Sequence, residues 1–265
     1  MICASFQERK KSGGLIIAYF PIVVKQGAKS PLNQRFVERK SLFPIKNRPI
    51  GPKEGFRVQW VLLALWGGLI GLCPARHLRF VRLLAAAGLA LSMGGQIVLL
   101  WLDQLLTLET GLPLHLCGLA GVMTIPLLWM GRGGPLQAFV CYLAAPAAFA
   151  TLFFPAVIRC SHPALMAFCF LQLHVLLALS PLLFYRMQKP LRAGMHSAFL
   201  LGNGYLLFVY GFNRCFGTNY LFLRAAPPGT PLSLMMAQGT AGYIGSLEML
   251  CMALLPCMRS LYCRK

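Results

Sequence analysis

Residues 163–185 read PALMAFCFLQLHVLLALSPLLFY, 23 positions without a charged side chain. A helix of about 20 apolar residues crosses the hydrocarbon of a bilayer, so this stretch predicts a transmembrane span. Working outward, similar runs occupy roughly 58–73, 80–102, 112–130, 135–157, 194–216 and 232–255, joined by short loops. In lipid every backbone group must be satisfied within its own segment, and the alternating pattern of a membrane barrel is absent. The expectation is an all-α membrane protein, a bundle of about seven transmembrane helices. The first run, 58–73, is short for crossing the core, which leaves the count at six or seven. Short connections make consecutive helices antiparallel neighbours, and Pro126, Pro146 and Pro181 predict kinks that packed neighbours tolerate.

Composition agrees. The 265 residues are 57% hydrophobic with a mean hydropathy of +0.65, too apolar for a soluble domain. A formal charge of +19 would suggest a nucleic-acid partner in a soluble chain. Here 12 of the 25 Lys and Arg fall in the first 57 residues and most others in short loops, the usual membrane pattern. No nucleic acid is expected; the partner is membrane lipid, and nothing in the residues sets an oligomeric state. Ten cysteines are scattered singly, with no Cys-x-x-Cys, and most read as small buried hydrophobes.

Two regions differ in character. Residues 1–56 hold seven of the nine lysines, and their one apolar run, Leu15 to Val24, is too short to span. This segment is expected to be a basic, disordered or non-native extension, removed if synthesis began near Val58. Residues 57–265 form the bundle. Basic residues collect on one side (Arg76, Arg79, Arg82, Arg132, Arg186, Lys189, Arg192, Arg259, Arg264, Lys265), against Arg159, Arg214 and Arg224 on the other. That asymmetry predicts a multi-pass protein of the cell membrane with a cytoplasmic C-terminus.

A charge costs about 2.5–3.5 kcal/mol in hydrocarbon on insertion scales, so polar groups kept inside the spans are the candidates for function. The third span opens Leu112-Pro113-Leu114-His115-Leu116-Cys117, bringing His115 and Cys117 into the bilayer together. Two positions apart on one straight helix diverge by about 200°, so they would face different ways. His174 sits near the midplane of the fifth span. It is either a neutral imidazole bonded to a neighbouring helix or a general base that activates Cys117. At 1.5 Å per residue Cys117 lies about 8 Å below its helix start and His174 about 16 Å below its own, so direct pairing requires staggered or bent helices.

In the sixth span Asn203, Tyr210, Asn213 and Gly217 share one helical face, suited to interhelical hydrogen bonds or to a ligand cavity. Glu248 is the acid inside the last span, set either for a salt bridge with Arg186, Lys189 or Arg192 or for a functional role. His115-x-Cys117 and Cys160-x-His162 together offer two Cys and two His. Neither pair has the usual spacing for zinc, so no metal and no cofactor is expected.

The run LPLHLC (112–117), His174, Asn203, Asn213, GTNYLFL (217–223) followed by Pro227, and Ser246-Leu247-Glu248 together resemble the YwaF family of bacterial integral membrane proteins, over roughly residues 58–255. That family is in turn similar to eukaryotic membrane proteins that transfer or hydrolyse lipid acyl groups with a Cys or Thr nucleophile and an intramembrane His. The resemblance implies Cys117 and His174. The chain departs from the family at Pro155-Ala156, where members often carry Pro-Asp.

Two functional classes follow. In one, Cys117 attacks a lipid ester, His174 or His115 shuttles the proton, and Asn213, Asn219 or Tyr220 stabilises the oxyanion. In the other, a transporter or ligand-binding protein lines its path with the same His and Asn groups, and Glu248 carries a proton or cation. A bundle whose polar groups serve only structure is the third alternative.

Overall fold

The computed structural model describes residues 52–129, 134–155, 157–158, 160–187, 194–226, 230–237 and 239–262. Most of the expected N-terminal extension lies outside them, as do Arg132, Ala156, Arg159, Lys189, Arg192, Pro227, Gln238, Arg264 and Lys265. The described residues are helical with no strand.

Helix α1 spans Pro52–Leu72, and a 3-10 turn, Ala75–His77, leads into α2 at Leu78–Leu102. The short α3, Leu108–Gly111, starts with a capping box in which the Thr107 hydroxyl accepts from Thr110 N–H and the Thr110 hydroxyl from Thr107 N–H. Then come α4 (Leu116–Trp129), α5 (Pro135–Phe153), α6 (Pro163–Arg186) and α7 (Met195–Phe216). A 3-10 turn, Tyr220–Phe222, precedes α8 (Pro231–Met236) and α9 (Gly239–Tyr262). Proline opens α5, α6 and α8, where its missing N–H has no helical partner to lose.

A helical segment answers each of the seven expected spans, and the protein is an all-α, membrane-type bundle. Among the described residues Ala75–Leu102, Pro135–Phe153 and Pro163–Arg186 are long and apolar enough to cross a bilayer, with shorter apolar stretches at Val58–Leu72 and Leu116–Trp129. The sixth expected span is helical but carries Asn203, Asn213 and Arg214. The third starts four residues later than predicted, and the seventh is broken into α8 and α9 at Gly239, whose φ of +81° suits glycine.

Proline acts differently at its three interior sites. Pro126 and Pro181 are held within α4 and α6. Before Pro146, α5 widens into a π-helical turn at Val140–Ala144. A regular helix would drive the proline ring against the carbonyl four residues back, and that residue, Tyr142, lies in the widened turn.

The core is organised around α6. Leu171 and Val175 pack with Leu62 of α1 and Leu152 of α5, while Leu173, Leu176 and Leu177 join Ala85, Leu89, Ala120 and Val140. Glycines let α2 approach α6 closely. A Cβ placed on Gly88 would stand 3.0 Å from Leu176 Cδ1 and 3.1 Å from Gln172 Nε2, and one on Gly95 would stand 2.9 Å from Cys169 Sγ. Gly88→Val should therefore lower stability by about 1–3 kcal/mol through overpacking, seen as a lower unfolding midpoint in detergent. The outer faces present Leu65, Phe80, Leu91, Trp101, Leu207 and Phe208, as a lipid-facing surface requires.

At one end of the bundle the Asp103 carboxylate, just past α2, accepts from both the backbone N–H and the hydroxyl of Ser161, each at 2.5 Å. This clamp ties the α2 terminus to the approach to α6.

Candidate functional site

The segment LPLHLC does not open as a helix. Leu112 is extended (φ −87°, ψ 140°), Leu114 N–H bonds back to Leu112 C=O at 2.8 Å, and α4 begins only at Leu116. The chain folds over its own helix start: a Cβ on Gly118 would stand 3.1 to 3.3 Å from the Cα, O and C atoms of Pro113. His115 therefore sits on the step before the helix, its carbonyl accepting from Leu119 N–H at 3.0 Å, and Cys117 is the second residue of α4. The divergence expected for two positions on one straight helix does not apply. The amides of a helix's first turn lack intrahelical acceptors, so N–H donors lie beside Cys117.

His115 is packed between two rings, Tyr220 at 5.1 Å between centroids and Phe222 at 5.2 Å. The loop that supplies them is fastened by Asn213. Its side-chain oxygen accepts from Tyr220 N–H at 2.9 Å and from the Thr218 hydroxyl at 2.8 Å, and its amide donates to Tyr220 C=O at 2.8 Å. Asn219 repeats the device one turn on, accepting from Arg224 and Ala225 N–H and donating to Ala225 C=O. The Tyr220 hydroxyl donates to Leu108 C=O on α3. Gly217 turns the chain at φ +70°, and Leu221 and Phe222 both take φ +56°, a left-handed conformation that bulky residues adopt only when held there.

His174 is buried on α6, with its ring stacked 4.1 Å from Phe170 and its Nδ1 2.7 Å from the Phe170 carbonyl. A carbonyl can only accept, so Nδ1 carries a proton, and in the neutral ring Nε2 is the unprotonated nitrogen. The Cys117 thiol lies near Thr151 of α5, whose hydroxyl donates to Ala147 C=O at 2.9 Å. Tyr205 of α7 packs against the cluster that holds Tyr220 and donates to Leu114 C=O at 2.5 Å. His115 is thus grouped with Tyr220 and Phe222, Tyr205 bonds the backbone just before α4, and His174 lies on α6, which packs against α4.

Sequence reasoning missed Thr151 and Tyr205. Thr151 is a single hydroxyl near the end of an apolar run, and Tyr205 lies off the face that Asn203, Tyr210 and Asn213 share, so no local pattern singles out either. The proposed binding set divides in the structure. Asn213, Asn219 and Tyr220 spend their polar atoms on loop and α3 backbone, and Tyr210 is 40% exposed on the outer surface. Asn203 donates to Phe199 C=O at 3.1 Å and to Glu248 Oε2 at 3.4 Å. Along α7 that pair lies about 15 Å from Asn213, at 1.5 Å per residue. Arg186, one expected partner of Glu248, instead donates to Cys73 C=O at 2.5 Å; Lys189 and Arg192 are outside the described residues.

The Cys160–His162 pair does not join His115 and Cys117. Cys160 packs on Leu99, Leu100 and Met166, where burial pushes its thiol up, with the Asp103 carboxylate adding to the effect against a hydrogen bond at His162. His162 is exposed. Among the described residues no group of three or more His, Cys, Asp or Glu is placed to hold a metal ion. Two apolar grooves, of about 560 and 640 Å³, follow α1 rather than the His115 cluster.

No curated protein and no solved structure matches the chain. The sequence pattern of one family does, over residues 56–259, a stretch that takes in α1 to α9 almost whole. The chain belongs to the TMEM164 family, a family of membrane proteins.

Proposed function

We propose that the protein transfers or hydrolyses lipid acyl groups through a Cys117 thioester. The observation that carries this reading is the position of Cys117 in the first turn of α4, with His174 on the packed neighbour α6 in the tautomer that leaves Nε2 basic. The resemblance of LPLHLC, His174 and GTNYLFL to YwaF-like proteins, and through them to acyl-transferring membrane proteins, supports it.

The chemistry runs in two halves. Cys117 gives its proton to His174 Nε2 and its sulfur attacks the ester carbonyl of a phospholipid. First-turn N–H groups of α4 face the oxyanion that develops there, since the side chains of Asn213 and Asn219 are occupied elsewhere. The ester C–O bond breaks, the lysolipid alkoxide takes the proton from His174, and a thioester remains. A second lysolipid hydroxyl, or water, then attacks the thioester while His174 accepts its proton and returns it to the departing sulfur. His115, held between Tyr220 and Phe222, lines the approach as a second imidazole.

The test is the intact mass of detergent-purified protein after incubation with phospholipid. A fatty-acyl increment, released by hydroxylamine and missing from Cys117→Ala, is expected. Absence of the increment from every variant, with phospholipid unhydrolysed, overturns the reading. Gly118→Ala should slow acyl-enzyme formation by about ten- to a hundred-fold by displacing Pro113 and with it His115, in the same mass assay followed over time. Glu248→Gln should leave acyl-enzyme formation within about two-fold of wild type, because its partner is Asn203. A carrier working through Glu248 gives the reverse pattern, tolerating Cys117→Ala and failing with Glu248→Gln.

A further inference from the structure

The end of the bundle opposite the His115 cluster carries unbalanced positive charge. Arg76 and His77 form the turn before α2, and Arg186 closes α6. Of the carboxylates that follow Glu54, Asp103 and Glu109 lie at or beyond the far end of α2, and Glu248 is held by Asn203. The 25 residues of α2 set its two ends about 37 Å apart. Arg186 Nη2 is bonded to Cys73 C=O, but its buried Nε has no hydrogen-bond partner. Arg76 Nε donates to His77 Nε2 at 3.0 Å, which sets the exposed Arg76 guanidinium beside that ring.

The 640 Å³ groove runs between α1 and α2 and is lined at one end by Cys73 and His77, the residues that Arg186 and Arg76 bond. Leu65, Leu69 and Phe80 are among its walls, and Cys73 and His77 line its polar end. Gly68 also lines it, and a Cβ added there would meet nothing within 4 Å. We propose that this groove binds an anionic phospholipid, with the phosphate on Arg76 and Arg186 and one acyl chain along α1. The bilayer fixes the class of occupant. An apolar groove at lipid depth takes an acyl chain, and a cationic rim that no carboxylate among the described residues neutralises favours a headgroup of net negative charge over a zwitterionic one. The site is separate from Cys117 and stands or falls independently of the proposed acyl chemistry.

Native mass spectrometry of the full chain in detergent with equimolar phosphatidylglycerol and phosphatidylcholine tests this. Wild type should retain one phosphatidylglycerol with at least about a ten-fold preference. Arg76→Gln, an exposed change that leaves packing alone, and Arg186→Gln should bring the preference close to one. Gly68→Leu should lower the binding of both lipids by filling the groove. Equal retention of the two lipids by wild type, or a preference that survives both arginine changes, overturns the proposal.

Discussion

His174→Gln is expected to lower the rate of acyl-enzyme formation by about 10²–10⁴-fold while the bundle stays folded, the range typical for loss of a positioned general base. Glutamine keeps an amide N–H able to reach the Phe170 carbonyl, so the hydrogen bond at 2.7 Å has a replacement donor. It offers no basic nitrogen, so the proton of Cys117 has no acceptor on α6. A rate within about three-fold of wild type would remove His174 from the chemistry and return it to a core role. Stopped time points in the intact-mass assay measure the rate, and an unchanged unfolding midpoint separates lost chemistry from lost structure.

Asn213→Ala is expected to cost about 3 kcal/mol. The side chain is 1% exposed and makes three hydrogen bonds, so its loss strands Tyr220 N–H, Tyr220 C=O and the Thr218 hydroxyl in a buried place. Each stranded group costs about 1–3 kcal/mol, and local relaxation recovers part of the sum. The left-handed Leu221 and Phe222 lose the restraint that holds them, so residues 217–225 should become the first site of limited proteolysis. Asn219→Ala offers the comparison. Its side chain is less buried and closes only a local turn, so about 1 kcal/mol or less is expected. Equal unfolding midpoints for Asn213→Ala and wild type in detergent would show that the loop is not fastened there.

Hydropathy made the spans legible because the cost of polar groups in lipid leaves little freedom in composition. It located α2, α5 and α6 to within a few residues. His174 was legible for the same reason, as a polar group deep in an apolar run. The opening of α4 was not. Pro113 has the appearance of a first-turn proline, and only the close packing of Gly118 on the Pro113 backbone reveals a chain that doubles back. The polar face of α7 was visible as a periodicity, but periodicity does not say what a side chain bonds. Asn213 faces its own following loop, and Tyr210 faces outward. Thr151 and Tyr205 depend on which helices neighbour each other, which no local pattern carries.

The position of Tyr220 over His115 has a consequence for biosynthesis. The two residues are about a hundred positions apart along the chain, so at a synthesis rate of about 5–20 residues per second the ribosome needs roughly 5–20 s to deliver the second after the first. During that interval α4, with its cysteine, can enter the bilayer, but its aromatic cover does not yet exist. The neighbourhood of Cys117 is completed only after α7 has been inserted and its following loop has closed back over α3. A nascent chain halted between α6 and α7 would hold both Cys117 and His174 and still lack the finished site.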